Sequence, residues 1–222
     1  MPIILDATPN PVLGELLRTL RDRETQGDRA RFRHCVRTLG MLLGVRIGED
    51  LAARPMRVVT PLGTKEIPVL AETPVIATAL RAGLPFAEGL LDVYPQSDVT
   101  FFGAARVEGG TPGPDGSIEI AMGYEAISEL NGRALIFADP MVATASTIID
   151  VHARLVELGR QPARFIVAGL VGWRGAADRI HDAIPNAEIY LVTCDDDLDE
   201  RGYIVPGLGD AGDLCFGPKA RD

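Results

Sequence analysis

From Ala134 to Thr193 the chain alternates between two kinds of segment. Apolar runs at Ala134–Ala138, Phe165–Val171 and Ala187–Thr193 read as strands, and Ala145–Leu158 and Ala176–Ala183 between them read as helices. Strands that recur with a helix between each pair must run parallel, because the crossover carries the chain back to the same end. This alternation predicts an α/β fold built on a doubly wound, mostly parallel sheet. Upstream, Pro11–Arg23 places Leu13, Leu16, Leu17 and Leu20 at helical spacing, with proline in the first turn. Arg31–Val45 reads as a second helix, MRVVTPLG and EIPVLAE as a hairpin, and PVIATAL as a strand; Leu84–Val93 reads as a helix and Asp98–Ala105 as a strand. One domain is expected over residues 1–222. The helices and hairpin of residues 1–70, with a C-terminal loop, are expected to form a small added lobe or hood.

Charge and composition exclude several classes. A net charge of −9 argues against nucleic-acid binding, which needs a basic footprint. A small anionic substrate remains compatible, since local arginines and helix N-termini can outweigh the global sign. No apolar run reaches the eighteen or so residues of a membrane-spanning helix. The opening MPIILDATPNP has neither a basic n-region nor a long apolar h-region, so a cytoplasmic protein is expected. Cys35, Cys194 and Cys215 are odd in number and widely spread, which argues for reduced thiols. His34, His152 and His181 lack ligand spacing, and no residue is expected to bind a metal directly.

The chemistry concentrates in three stretches. The first is DPMVATAST, Asp139–Thr147, which follows the strand RALIFA. Ligands of open parallel sheets collect at the C-terminal strand ends, where Asp139 is expected to stand and where a carboxylate accepts hydrogen bonds from ribose hydroxyls. Thr144, Ser146 and Thr147 add hydroxyls, and the amides of Ala145–Thr147 open a helix whose first N–H groups lack intrahelical partners. A phosphate suits that position, but so does an ordinary N-cap by Thr144 or Ser146. The stretch has neither GxxxxGK[ST] nor GxGxxG.

The second stretch is LRAG, Leu80–Gly83, where an arginine after an apolar run can grip a diphosphate or simply sit at a surface turn. The third is YIVPGLGDAGDLCFG, Tyr203–Gly217, too rich in glycine and proline for a regular helix. Its backbone groups can read a planar heterocycle, or the run can pack as a tail on the sheet. Glu108–Ser117 reads equally as a hairpin tip or as a lid.

Together these stretches resemble the uracil phosphoribosyltransferase family. In that family DPM-x-AT binds the ribose 5′-phosphate, LRAG belongs to the diphosphate loop, and the C-terminal motif forms the uracil pocket. Leu20–Arg33 also resembles the family's LRD…T…FR segment, Arg106–Thr111 its Arg-x-Glu-x-Thr loop, and Asp195 with Leu198–Tyr203 its lead-in to the uracil loop. The resemblance implies a single phosphoribosyltransferase-like domain with a mobile loop at 104–124 and a base-binding loop at 203–217. It implies that Asp139 holds ribose hydroxyls and that Met141, Ala143 and Thr144–Thr147 form the phosphate cradle. Arg81, Ala82 and Gly83 would hold the diphosphate, with Arg106 closing from the loop. Tyr203, Ile204, Gly209, Asp210 and Ala211 would surround the base, with Arg81, Arg106 and Asp210 in catalytic roles. Mg2+ would arrive on phosphoribosyl diphosphate, and a homodimer or higher homo-oligomer is implied. No membrane partner is expected.

Three features depart from the family pattern. The cradle has Ala145-Ser146-Thr147 where Gly-Gly-Ser is usual; alanine is harmless if that residue is helical, whereas serine fails if its φ is positive. The loop GGTPGPDGS is thinned of charge before Tyr124. LVGWRGA, Leu170–Ala176, stands where small residues and a proline are usual, so Trp173 either packs on a neighbour or remodels the acceptor pocket. A different acceptor base and a non-catalytic nucleotide-binding homologue are the alternatives these changes leave.

Overall fold

The structure is a computed structural model that describes residues 1–106, 113, 120–130 and 132–219. Most of the loop expected at 104–124 therefore lies outside the described residues. In chain order the elements are β1 (Ile3–Ile4), a 3-10 turn (Leu5–Ala7), α1 (Pro11–Arg21), α2 (Arg29–Gly48), β2 (Ala53–Thr60), β3 (Gly63–Leu70), β4 (Val75–Leu80), α3 (Gly83–Val93) and β5 (Val99–Arg106). There follow β6 (Ile120–Ala126), β7 (Ala134–Val142), α4 (Ser146–Glu157), β8 (Arg164–Trp173), α5 (Ala176–Ala183), β9 (Glu188–Asp195), β10 (Asp197–Leu198), β11 (Ile204–Val205) and α6 (Ala211–Phe216).

Seven strands form the main sheet in the order β1-β9-β8-β7-β4-β5-β6, and every pairing is parallel except β5 with β6. From β4 the chain builds outward through β5 and β6, then returns to β7 on the other side of β4 and builds through β8 and β9. The order reverses between β4 and β7, which is where a crevice opens at the C-terminal ends of such strands. The sequence places LRAG and DPM at those two ends.

Alternation along the strands sorts the core onto two faces. Ile76, Ile136, Ala138, Ile166 and Ala168 pack with residues of α1, α2 and α3, while Val75, Ala77, Leu135, Phe137 and Val167 pack with α4 and α5. Of the segment 1–70, α1 and α2 thus belong to the sheet's own core, and β1 pairs with β9 at its edge. The β2–β3 hairpin pairs only with itself among the sheets and leaves Met56, Val59, Leu62 and Ile67 exposed. Both N-terminal helices start on side-chain caps: Asn10 accepts from Val12 and Leu13, and Asp28 from Ala30 and Arg31.

Two expectations need correction. β7 does not end at Ala138 but runs through Asp139 and Pro140 to Val142, because β8 continues beside it and pairs Asp139 with Gly169 and Val142 with Gly172. The C-terminal motif does contain a helix, α6. Asp210 caps it by accepting the Asp213 N–H at 2.9 Å, and burial of Ala211 and Cys215 on the core offsets the glycine inside it.

Helices α2 and α3 meet at glycines. A Cβ on Gly40 would lie 2.5 Å from the Phe86 carbonyl oxygen, and one on Gly89 would lie 2.1 Å from the Arg37 oxygen and 2.8 Å from the Met41 nitrogen. In an exposed helix Gly→Ala gains about 1 kcal/mol. Here the obstacle is backbone and cannot rotate away, so Gly89→Ala should lose about 2–3 kcal/mol through overpacking. Urea unfolding measures this; a neutral or stabilised variant would mean the helices are not in such close contact.

Candidate active site

At the switch point the pairing of β4 with β7 ends at Thr78 opposite Ala138, so Arg81, just past β4, and Asp139, still within β7, come to the same edge. The Thr78 hydroxyl donates to the Ala138 carbonyl at 2.7 Å and is fully buried. A Cβ on Gly83 would fall 1.9 Å from that hydroxyl oxygen. Glycine at 83 is therefore required by a buried strand residue, whatever else approaches its backbone.

Asp139, Met141, Ala143, Thr144, Ala145, Ser146 and Thr147 line one open cleft of about 270 Å³, including the solvent at its mouth. Ile120, the first residue of β6, completes the wall and carries no mark in the sequence that would have singled it out. Asp139 Oδ1 accepts the Met141 N–H at 3.0 Å, which fixes the carboxylate against its own strand. The Ala143 N–H donates to the Met141 carbonyl at 2.9 Å, turning the chain out of β7. Thr144 and Ser146 are both buried, with their hydroxyl oxygens 3.1 Å apart.

The helix α4 begins without a side-chain cap, so neither Thr144 nor Ser146 is the N-cap that the sequence allows. The N-cap position is Ala145, at φ 63° and ψ 4° in the left-handed region. The backbone demand falls on the residue where alanine was expected to be harmless, and Ser146 is an ordinary first helical residue. A non-glycine residue there carries about 1–2 kcal/mol of strain. An uncapped helix start presents N–H groups that have no intrahelical acceptor, and here they border a cleft rather than a capping side chain.

Arg81 is reached through a cis Leu80–Arg81 peptide and turns towards α6. Its Nη2 donates to Asp213 Oδ1 at 2.8 Å and its Nη1 to the Gly217 carbonyl at 3.1 Å. A guanidinium has five N–H donors, so these two contacts leave capacity for an anion. Gly212 brings α6 close: a Cβ there would lie 3.6 Å from Arg81 Nη2 and 4.0 Å from Ala82 Cβ. The diphosphate-loop and base-loop candidates are thus in contact. Arg106 is the last residue of β5; residues 107–112 and 114–119, where the loop was expected to close, lie outside the described residues.

In the C-terminal loop, the Tyr203 N–H donates to Asp199 Oδ1 at 2.8 Å, and its carbonyl accepts from the Asp199 N–H at 2.8 Å. Ile204 is buried in β11, Gly209 has φ 93°, and the exposed Asp210 caps α6, with Ala211 buried behind it. Arginines and a glutamine from distant segments hold this loop: Arg21 on Asp195 and Gly207, Gln26 on Leu208, and Arg33 on the Cys215 carbonyl. Sequence reasoning noticed the segments of these residues but assigned them no role. Trp173 folds over Gly175 at the head of α5 and donates Nε1–H to the Asp196 carbonyl at 3.0 Å. Its contacts are those of a packing residue within the chain. Burial raises the thiols of Cys35 and Cys194 and pushes Cys215 up to about 11, so none is poised as a thiolate nucleophile.

This fold, with its crevice at the β4–β7 switch point, is that of the phosphoribosyltransferase class of α/β proteins. Within that class, the chain belongs to the uracil phosphoribosyltransferase family, whose family model matches residues 7–218. It is 36% identical over 211 residues to the uracil phosphoribosyltransferase of Metallosphaera sedula, covering 93% of this chain and 96% of that protein. It is 38% identical over 211 residues to that of Thermococcus gammatolerans, covering 94% and 90%. Among solved structures, the AQ2163 protein from Aquifex aeolicus superposes with a TM-score of 0.82 at 29% identity, covering 98% of each chain.

The left-handed position sorts two substitutions. Ala145→Val puts a β-branched residue at positive φ in a buried turn and should cost about 2–3 kcal/mol. Ser146→Ala removes the hydroxyl beside Thr144 and should cost about 1 kcal/mol. Urea unfolding of both variants checks the order; the reverse order would place the demand at 146.

Proposed function

We propose that the chain transfers the phosphoribosyl group of 5-phosphoribosyl 1-diphosphate to uracil, giving UMP and diphosphate in pyrimidine salvage. The observation that carries this reading is the cradle: an uncapped helix start at Ala145–Ser146 and the Asp139 carboxylate line one cleft beside LRAG. In this reading the 5′-phosphate sits at the start of α4, where the helix dipole and first-turn amides favour an anion. Asp139 accepts from the ribose hydroxyls. Arg81 and the backbone of Ala82 and Gly83 hold the diphosphate, together with Arg106 at the end of β5. The main chain of Ile204, Gly209 and Ala211 reads the base, with Tyr203 beside it.

The reaction follows from these positions. A ring nitrogen of the base gives its electron pair to ribose C1, the C1–O bond to the diphosphate breaks, and diphosphate leaves with that bond's electrons. The C1 centre passes through an oxocarbenium-like state. The leaving group is already good, so the guanidinium groups mainly neutralise its developing charge. Mg2+ enters with the diphosphate as part of the donor substrate. The proton of the ring nitrogen is lost either to Asp210 or beforehand, if the base binds as its anion. Exclusion of water from the cleft during transfer keeps it from competing for C1.

Among the described residues no helix is long and apolar enough to cross a membrane. The reading includes a cytoplasmic location and a homodimer or larger assembly, with small-molecule substrates and no nucleic acid. The β2–β3 hairpin supports the assembly, because a lone two-stranded ribbon is marginal in water and this one exposes Val59 and Ile67. Light scattering should give at least a dimer mass, and Val59→Glu with Ile67→Glu should lower it; a wild-type monomer would remove the assembly from the reading.

Diphosphate release with uracil, other pyrimidines, purines and no base tests the reaction. Release with uracil is expected; release only with another base would change the acceptor. No release with any base, together with tight nucleotide binding, would leave a binding protein. Asp139→Asn keeps an acceptor for Met141 but loses charge-assisted bonds to the sugar, about 1.5–3 kcal/mol, so kcat/KM for the donor should fall about 10- to 100-fold. Wild-type efficiency in that variant would refute the assignment.

A further inference from the structure

Asp195 closes β9, and its carboxylate accepts a fork of two bonds from Arg21 at the end of α1, Nη1 to Oδ2 at 2.7 Å and Nη2 to Oδ1 at 3.0 Å. The same Oδ2 accepts the Gly207 N–H at 2.9 Å, and Arg21 Nη1 donates to the Gly207 carbonyl at 3.2 Å. Both main-chain polar groups of one loop glycine are therefore held by one ion pair. That glycine stands at φ 54°, and a Cβ on it would lie 2.2 Å from the Ile204 carbonyl oxygen. The backbone of Gly207 thus passes so close to the Ile204 carbonyl that only glycine fits between them. Gln26, four residues beyond Asp22 at the end of α1, adds a bond to the next carbonyl, that of Leu208, at 3.2 Å. The pair is shielded, with side-chain exposures of 24% for Arg21 and 10% for Asp195, so water and salt weaken it less than a surface pair.

We propose that Arg21 and Asp195 are positioning residues for the acceptor base, acting through the main chain of Ile204–Leu208. The proposal rests on the phosphoribosyl-transfer reading, in which Ile204 and Gly209 read the base by their backbone. Neither residue lines the donor cleft, whose walls come from β6, β7 and the start of α4. Their influence should therefore divide between the substrates: the base should feel them and the donor should not. A merely structural pair would disturb both substrates together or neither. The fork is specific to a guanidinium, since a lysine at 21 offers one point charge in place of two parallel donors.

Steady-state diphosphate release, with uracil and donor varied separately, tests this on Asp195→Asn and Arg21→Lys. Both substitutions keep side-chain volume, and urea unfolding of each variant confirms that the chain is folded before kinetics are read. The expected result is a rise in KM for uracil of about tenfold or more with KM for the donor within about twofold. The double variant should be no worse than the poorer single one, because the two residues act as a unit. If either variant does not fold, the other decides. Uracil KM within about twofold of wild type in the folded variants, or donor and uracil KM rising in parallel, would overturn the proposal. Wild-type protein that releases no diphosphate with uracil would instead sink the transfer reading, and this proposal with it.

Discussion

Parallel pairing of β4 with β7 is the contact on which the other functional segments depend. It joins the two halves of a sheet that otherwise grow in opposite directions, and it brings two strand ends from residues far apart in sequence to one edge. Burial on both faces makes the register stiff: a slip of one residue would send Ile136 and Phe137 to the wrong layers. The position of Asp139 against LRAG is consequently set by core packing, not by the loops themselves. Loops mounted on such a scaffold can differ from relatives without moving the acid.

Two of the three departures of this chain fall outside its strands or at their ends, whereas Leu170–Trp173 lies within β8. The cradle lacks its usual glycines, yet its geometry keeps a left-handed turn at Ala145. The methyl of Ala145 is buried against α4 and its neighbours, which returns about 0.8 kcal/mol against the strain of the turn. Burial thus offsets part of the strain, and the turn survives. Ser146, by contrast, meets no backbone demand and contributes a hydroxyl next to Thr144.

How much of this was legible beforehand depends on distance along the chain. Apolar runs revealed β7, β8 and β9 because a doubly buried strand needs little else, and Ala176–Ala183 was read with its observed bounds. β1 was missed, since two residues show no period. Composition hid α6, because a capping aspartate and burial outweigh what glycine costs in so short a helix. Which of Ala145 and Ser146 would be left-handed stayed open in the sequence, as motif spacing does not say which residue of a turn reverses. Arg21 and Asp195 lie 174 residues apart, and no local pattern announces that pairing.

The steric relation between Gly83 and Thr78 has a consequence for how this site can vary. One residue begins α3 and the other is sealed in the sheet, and a side chain at the first would occupy the volume of the second. A side chain can enter at 83 only where the hydroxyl at 78 is given up, and giving it up leaves the Ala138 carbonyl without its buried donor. Variation at 83 is thus governed from inside the sheet: a side chain there requires a change at 78, although 78 can change alone.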